Sequence, residues 1–267
     1  MQLMSIDSNK DFITYEYPLN ERIRTLLRLN FLFERAEFGI NGDSEWHART
    51  AVDALLDIID LLTRSDVRAE LQKELERQRK TLSQLQGLPE VEDHQLQTVL
   101  EQADRVSKAL NEAPPGLPVM MRDNAFLTAI SQRAGVLGGT CAFDLPGYHL
   151  WLQSPVAERK ALLNEWLSGF KPIHEGSTLV LQLLRQSADP IDEVAEKGSY
   201  NAKLDPTAAL QLLRVQMNCT TLCFPEISGS RHFCTIRFLR QSSQGERPQQ
   251  VDQDVPFTLE RCVIKSR

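Results

Sequence analysis

The C-terminal stretches LQLLRVQM, at residues 210–217, and HFCTIRFL, at residues 232–239, decide the fold class. Both are short and rich in aliphatic, aromatic or β-branched residues, which predicts β-strands. A third strand is predicted from Val255 to Ile264, and a weaker one from Gly198 to Lys203. We therefore expect residues 191–267 to form a β-strand domain.

Upstream of these strands the hydrophobic period is that of helices. Asn20 is suited to cap a first helix that runs to about Phe38, because its side chain can accept a hydrogen bond from the first turn. Apolar residues at helical spacing predict further helices up to residue 137 and again at residues 154–190. We expect an α-helical domain at residues 19–137, continued by the helices at 154–190.

Two further strands are predicted, one before the helices and one between them. The stretch FITYEY, at residues 12–17, alternates apolar and polar residues, and residues 140–153 are also predicted as strand, interrupted at Pro146 and Gly147. Both are expected to join the C-terminal sheet. The predicted class is α+β, with a mainly α-helical N-terminal domain packed on a C-terminal antiparallel β-strand domain.

Composition narrows the possible classes of function. The chain has 267 residues and a formal net charge of −6, which disfavours a nucleic-acid partner. No stretch reaches the ~20 apolar residues of a membrane span, so membrane insertion is not expected. The first residues lack the basic segment followed by an apolar segment that marks a signal peptide. Five cysteines without a secretory signal are typical of a protein with reduced thiols. A cytoplasmic protein is expected.

The sequence contains none of the common catalytic or metal-binding patterns. Nucleotide-binding glycine patterns are absent, and Gly135–Thr140 lacks the lysine of a phosphate-binding loop. The spacing of Cys219 and Cys223 differs from that of zinc knuckles, and Cys141 with His149 lacks an orienting partner for nucleophilic catalysis. We expect no catalytic residues, no bound metal and no cofactor.

Arginines give the clearest indication of a binding surface. Arg64 is at the end of a predicted helix, and Arg231 and Arg237 lie in or near the strand at 232–239, where an unbroken strand would place both on one face. One interpretation is an ordinary solvated surface. The other is a basic, aromatic-lined groove for a carboxylate-bearing peptide, because guanidinium groups match carboxylates in bidentate geometry.

Several strings, in matching order and spacing from about residue 12 to 263, resemble the ZapD family of Z-ring-associated proteins. They are EYPLNERIRTLLRL (16–29), RSDVRAEL (64–71), KELERQ (73–78), GGTCAFDLP (138–146), HLWL (149–152), LLRQSA (183–188), PEISG (225–229) and IRF (236–238). None of these strings is a catalytic signature.

The resemblance implies a homodimeric, non-enzymatic adaptor at the division ring. It would bind the C-terminal tail of the tubulin-like protein FtsZ in a basic pocket and bundle FtsZ filaments. By position, Arg64 and Arg237 match pocket arginines of the family. A further pocket arginine falls at Phe233 here, and Arg231 is its candidate replacement.

The resemblance also bears on filament bundling. Arg28 and His149 match positions implicated in bundling, and a third such position is Ala125 here. The alternative function is an enzyme or binding protein that uses the same arginines on a small anionic metabolite.

Overall fold

In the computed structural model, which describes residues 12–84, 86, 93–114, 116–241 and 245–263, one N-terminal strand precedes a series of helices, and the other strands follow them. The α+β class is confirmed. The helices are α1 (Glu21–Asn41), α2 (Glu45–Arg64), α3 (Val67–Ser83), α4 (Asp93–Glu112), α5 (Leu117–Arg122), α6 (Ala125–Ala134), α7 (Pro146–Leu152), α8 (Val156–Ser168) and α9 (Lys171–Gln186). The strands are β1 (Phe12–Pro18), β2 (Pro190–Ala195), β3 (Ser199–Lys203), β4 (Leu210–Asn218), β5 (Phe224–Gly229), β6 (Phe233–Arg240), β7 (Gln249–Gln250) and β8 (Val255–Val263).

Local hydrogen bonds explain where the first three helices begin. The Asn20 side chain accepts a 2.9 Å hydrogen bond from the backbone N–H of Ile23, as predicted. Ser44 and Asp66 accept equivalent bonds at the starts of α2 and α3. These caps satisfy backbone donors that the first helical turn leaves without partners, so each helix starts at a defined residue.

Contacts divide the chain into two compact units. The helical unit is Thr25–Val180, and the β unit contains the described residues 12–24 and 181–263. We propose that they correspond to the two domains predicted from the sequence. Each unit is described below by itself.

The β unit contains two antiparallel sheets. The first has the strand order β1-β4-β8-β2, and the second has β3-β6-β5 with β7 paired to β6. Buried residues of both sheets form one apolar cluster, which includes Val215 and Met217 of β4, Ile236 and Phe238 of β6, and Leu259 of β8. The sheets therefore face each other, and one face of each points away from the cluster.

Most strand predictions agree with the structure. The predicted strand at 12–17 is β1 and pairs with β4, as expected for a strand that joins the C-terminal sheet. The strands predicted at 210–217, 232–239 and from Val255 are β4, β6 and β8, and the weaker one is β3. Ile264, the last residue of the third prediction, lies outside the described residues.

The strand predicted at residues 140–153 is wrong. Residues 140–144 form turns, and Pro146 begins α7 in the helical unit. Proline is favoured in the first turn of a helix because the N–H that it lacks has no helical partner there. Tyr148 and Leu152 are buried one turn apart, so this aromatic-rich segment has the period of a helix and not of a strand.

Candidate functional site

The second sheet has a solvent-facing surface with Arg237 at its centre. Along β6, Cys234, Ile236 and Phe238 are buried, whereas Phe233 and Arg237 are exposed. This alternation follows from the two-residue period of a strand. Residues 233, 235 and 237 therefore point away from the apolar cluster, and we call this side the outer face of the second sheet.

Strand register orders the outer face into cross-strand rows. Arg237 is flanked by Ser199 of β3 and Glu226 of β5. The next row contains Asn201, Thr235 and Ser228, in which the Thr235 hydroxyl donates a 2.7 Å hydrogen bond to the Asn201 side chain. A third row pairs Lys203 with Phe233. Cationic, polar and aromatic side chains thus lie on one face.

Arg237 forms an exposed and therefore weak ion pair. Its guanidinium donates to the Glu226 carboxylate, and the two side chains are 54% and 52% exposed. An ion pair this exposed contributes little to stability, because water screens the attraction and both side chains lose freedom. The guanidinium can therefore transfer to an incoming carboxylate without disturbing the sheet.

Arg231 does not share the strand with Arg237. It lies in a bend between β5 and β6, because β6 begins only at Phe233. A 2.8 Å hydrogen bond from the Ser230 N–H to the Phe233 carbonyl closes this turn. The prediction that an unbroken strand places Arg231 and Arg237 on one face is thus wrong. Arg231 is an exposed residue at the tip of a hairpin.

Arg64 is the last residue of α2 in the helical unit. Its guanidinium lies 2.8 Å from Asp60 one turn earlier, and the arginine side chain is 76% exposed. A cation at the carboxyl end of a helix is favoured by the helix dipole. Arg64 and Arg237 belong to different units, so their joint use in one pocket stays a prediction.

A cavity of about 620 Å³ adjoins Arg64 within the helical unit. Its walls are mainly apolar and come from the ends of α2 and α4, the starts of α3 and α5, and the junction of α8 with α9. The apolar walls include Leu62, Val67, Leu110, Leu117, Phe170 and Ile173. This volume is typical of small-molecule or side-chain pockets.

Arg68 lies on the same cavity but has a structural role. Its guanidinium donates 2.8 Å hydrogen bonds to the carbonyls of Ala113 and Asn111, at the end of α4. It therefore satisfies carbonyls that the last turn of α4 leaves without partners. The geometry thus separates the outward-pointing Arg64 from Arg68, which caps α4.

The two predicted bundling residues lie on different helices of the helical unit. Arg28 is exposed on α1, three residues before the exposed Phe31. His149 is exposed in α7, beside the exposed Leu150. Each residue is thus accessible to a partner, and each has an apolar neighbour.

Two observations on the described residues bear on metal binding and on thiol reactivity. No group of three His, Cys, Asp or Glu side chains there could hold a metal ion. Burial raises the pKa of the Cys262 thiol to about 12 and also raises the pKa of Cys234. Such thiols stay protonated at neutral pH and are poor nucleophiles. Among the described helices, none is long and apolar enough to cross a membrane.

Comparison with known proteins decides the family. A family model described as "ZapD: Cell division protein" matches residues 27–237. The chain belongs to the ZapD family. It is 42% identical over 255 residues to "Cell division protein ZapD" of Methylococcus capsulatus, covering 96% of this chain and 100% of that protein. It is 38% identical over 251 residues to the protein of the same name from Cupriavidus necator, covering 94% and 99%.

The ZapD matches place this chain among cell division proteins. These relatives are named for a role in cell division. The site residues Arg64, Arg231, Arg237, Arg28 and His149 stay predictions.

The sequence missed one candidate on the outer face, Lys203. The only signal was its place in the weakly predicted strand at 198–203. Assigning it to the face of Arg237 required the register of β3 against β6.

Proposed function

We propose that this ZapD-family chain is a non-enzymatic adaptor that binds the C-terminal tail of FtsZ and cross-links FtsZ filaments into bundles. Through these contacts it is recruited to the division ring at mid-cell in the cytoplasm and promotes ring assembly. No cofactor takes part in this function, because it makes and breaks no covalent bond.

The observation that carries the proposal is the setting of Arg237. This guanidinium is half-exposed on the outer face of a sheet and has one exposed carboxylate partner, Glu226. A charged group that is accessible and weakly paired can bind a peptide carboxylate in bidentate geometry. Its neighbours Thr235 and Ser199 add hydroxyl groups for the polar atoms of an extended peptide.

Arg64 is proposed as a second tail contact, in the helical unit. Its exposed guanidinium lies on the rim of the apolar cavity, which suits a peptide segment with neighbouring acidic and apolar side chains. Arg231 is a third candidate at the hairpin tip. Binding should weaken as salt increases, because ions screen the attraction between arginines and acidic groups.

Bundling requires at least two sites on one particle. We propose a homodimer in which each protomer binds one tail, so that the dimer bridges two filaments and gains avidity from their many tails. Arg28 and His149 are proposed to contact filaments during bundling. Light scattering should give about twice the chain mass of 30.3 kDa at micromolar concentration. A monomer under these conditions contradicts the bridging mechanism.

Isothermal titration of an FtsZ tail peptide into the purified protein tests the proposal. Arg64→Ala should weaken binding at least tenfold, or about 1.4 kcal/mol, with an unchanged melting temperature. Arg133→Ala is the matched control, since Arg133 is also an exposed helical arginine near one aspartate, Asp144. Equal affinity for Arg64→Ala and wild type removes Arg64 from the site.

The cavity beside Arg64 favours one alternative function, the binding of a small anionic metabolite. Co-sedimentation with FtsZ polymers separates the two functions. An adaptor increases the pelleted FtsZ and loses this effect with FtsZ that lacks its tail. A metabolite-binding protein leaves the pelleted FtsZ unchanged.

A further inference from the structure

Phe233 and Lys203 form an unusual pair at one end of the outer face of the second sheet. They are direct cross-strand partners on β6 and β3. Side chains at directly opposed positions of antiparallel strands have Cβ atoms about 5 Å apart, so the phenyl ring and the lysine chain are neighbours. Phe233 is 57% exposed although it belongs to a regular strand.

Charged side chains are distributed unevenly over the outer face of the second sheet. The row of Arg237 contains the carboxylate of Glu226, whereas the rows of Thr235 and Phe233 contain only Asn201, Ser228 and Lys203 as further side chains. Lys203 thus adds positive charge next to an exposed aromatic ring, in rows that contain no carboxylate. This combination is complementary to a ligand with both acidic and apolar groups.

Spacing on the face matches that of an extended peptide. Arg237 and Phe233 are four residues apart on one strand, which corresponds to about 13 Å. A peptide in extended conformation along β6 presents every second side chain to the sheet with the same period. An acidic residue opposite Arg237 therefore places one residue four positions away opposite Phe233 and Lys203. That residue precedes the acidic one if the peptide runs parallel to β6, and follows it if the peptide runs antiparallel.

We infer that Phe233 and Lys203 extend the tail-binding surface of Arg237, with Phe233 contacting an apolar tail residue and Lys203 supplying the second cation of this face. The inference rests on the proposed function, since it assigns further contacts to the same tail. It also assigns the second cation to a residue within the strand ladder. Arg231 lies outside that ladder, in the bend before β6.

Titration calorimetry with the FtsZ tail peptide of the same organism tests the inference. Phe233→Ala should weaken binding about tenfold, as truncation of an interface aromatic residue often does. Lys203→Ala should weaken binding about threefold and reduce its salt dependence, as expected for a charge at the rim. Melting temperatures should match wild type.

Two control variants should leave tail affinity unchanged. Val194→Ala removes another half-exposed apolar side chain, on β2 of the first sheet. Lys80→Ala removes an equal charge from an exposed position of α3. A set of peptides with single alanine substitutions should contain one apolar position to which Phe233→Ala is insensitive, which identifies the contacted residue.

Three results overturn the inference. One is wild-type affinity in both Phe233→Ala and Lys203→Ala. Another is tighter binding in Phe233→Arg, which shows that this position favours a cation over an apolar contact. The third is a loss of affinity in Arg231→Ala that equals that in Arg237→Ala, with none in Lys203→Ala. If the wild-type protein does not bind the peptide at all, the proposed function itself is contradicted.

Discussion

Arg214 and Arg237 occupy equivalent places in the two sheets of the β unit but have opposite surroundings. Each lies at the centre of a cross-strand row. Arg214 of β4 is flanked by Glu16 of β1 and Glu260 of β8, whereas Arg237 has serine on one side and glutamate on the other. The Arg214 side chain is 22% exposed and contacts both carboxylates.

A second arginine, on a helix, also binds Glu16 of the Arg214 row. Arg185 of α9 donates hydrogen bonds of 2.7 and 2.8 Å to the two carboxylate oxygens of Glu16. The row is therefore a partly buried network in which each charge depends on the others. In contrast, Arg237 pairs with the exposed carboxylate of Glu226, and water can replace this partner. Identical residues in the two sheets thus have different surroundings, which fit a role in stability for Arg214 and the proposed binding role for Arg237.

Arg214→Ala should have the largest effect on stability. Its removal leaves Glu16 and Glu260 partly buried with fewer partners, which costs about 2–3 kcal/mol of unfolding free energy. Urea denaturation measures this loss. Tail affinity of the folded variant should equal wild type. If stability does not change, the network is not a stabilising element and the contrast with Arg237 fails.

Glu16→Gln should have a smaller effect that depends on pH. Burial alone raises the pKa of Glu16, but hydrogen bonds and attraction from Arg185 and Arg214 outweigh it and lower the pKa below its ordinary value of 4.5. A lowered folded-state pKa stabilises the protein above the unfolded-state pKa, and this contribution disappears as pH falls through the folded value. Glutamine cannot titrate.

The variant should therefore be about 1–2 kcal/mol less stable than wild type at neutral pH, because a neutral amide replaces a charged acceptor. This difference should shrink as the pH falls below 4.5. Urea melts of both proteins at a series of pH values give the comparison. A difference that is constant across this range contradicts the role assigned to the Glu16 charge.

Arg237→Ala should show the opposite pattern to the one expected for Arg214→Ala. Unfolding free energy should change by less than ~1 kcal/mol, because the lost ion pair is exposed. Tail affinity should fall at least tenfold, or about 1.4 kcal/mol. Calorimetry and urea denaturation on the same preparation measure both quantities. Wild-type affinity in this variant shows that the pocket assignment is wrong, even though the family assignment stands.

Arg231→Ala should have the smallest effect. The residue lies at a hairpin tip outside the strand ladder, where a solvated arginine contributes well under ~1 kcal/mol. Tail affinity within about twofold of wild type is expected. A loss that matches Arg237→Ala instead assigns the second cation to Arg231, the replacement that the resemblance to the family implies.

The sequence predicted the elements whose pattern is long or strongly apolar. The helical period of α2 and the β-branched and aromatic content of β6 were sufficient. β5 was missed because Pro225 and Gly229 are unfavourable in strands, although the edge of a sheet tolerates proline. Residues 146–152 were assigned wrongly because a helix of two turns shows too little of its period.

The site was less predictable than the fold. Arg214 and Arg237 both occur in predicted strands, so composition could not distinguish a partly buried row from an exposed one. Their roles depend on which residues lie opposite them, and register is set by pairing between distant parts of the chain. Lys203 became a candidate for the same reason.

The most direct test of the central claim is a nuclear magnetic resonance titration of isotope-labelled protein with the FtsZ tail peptide. If the outer face of the second sheet binds the tail, the largest shifts in the β unit occur in β3 and in β6 from Phe233 to Arg237, and the Arg214 row stays unchanged. Shifts that are absent from β3 and β6, or that centre on Arg214, contradict the account.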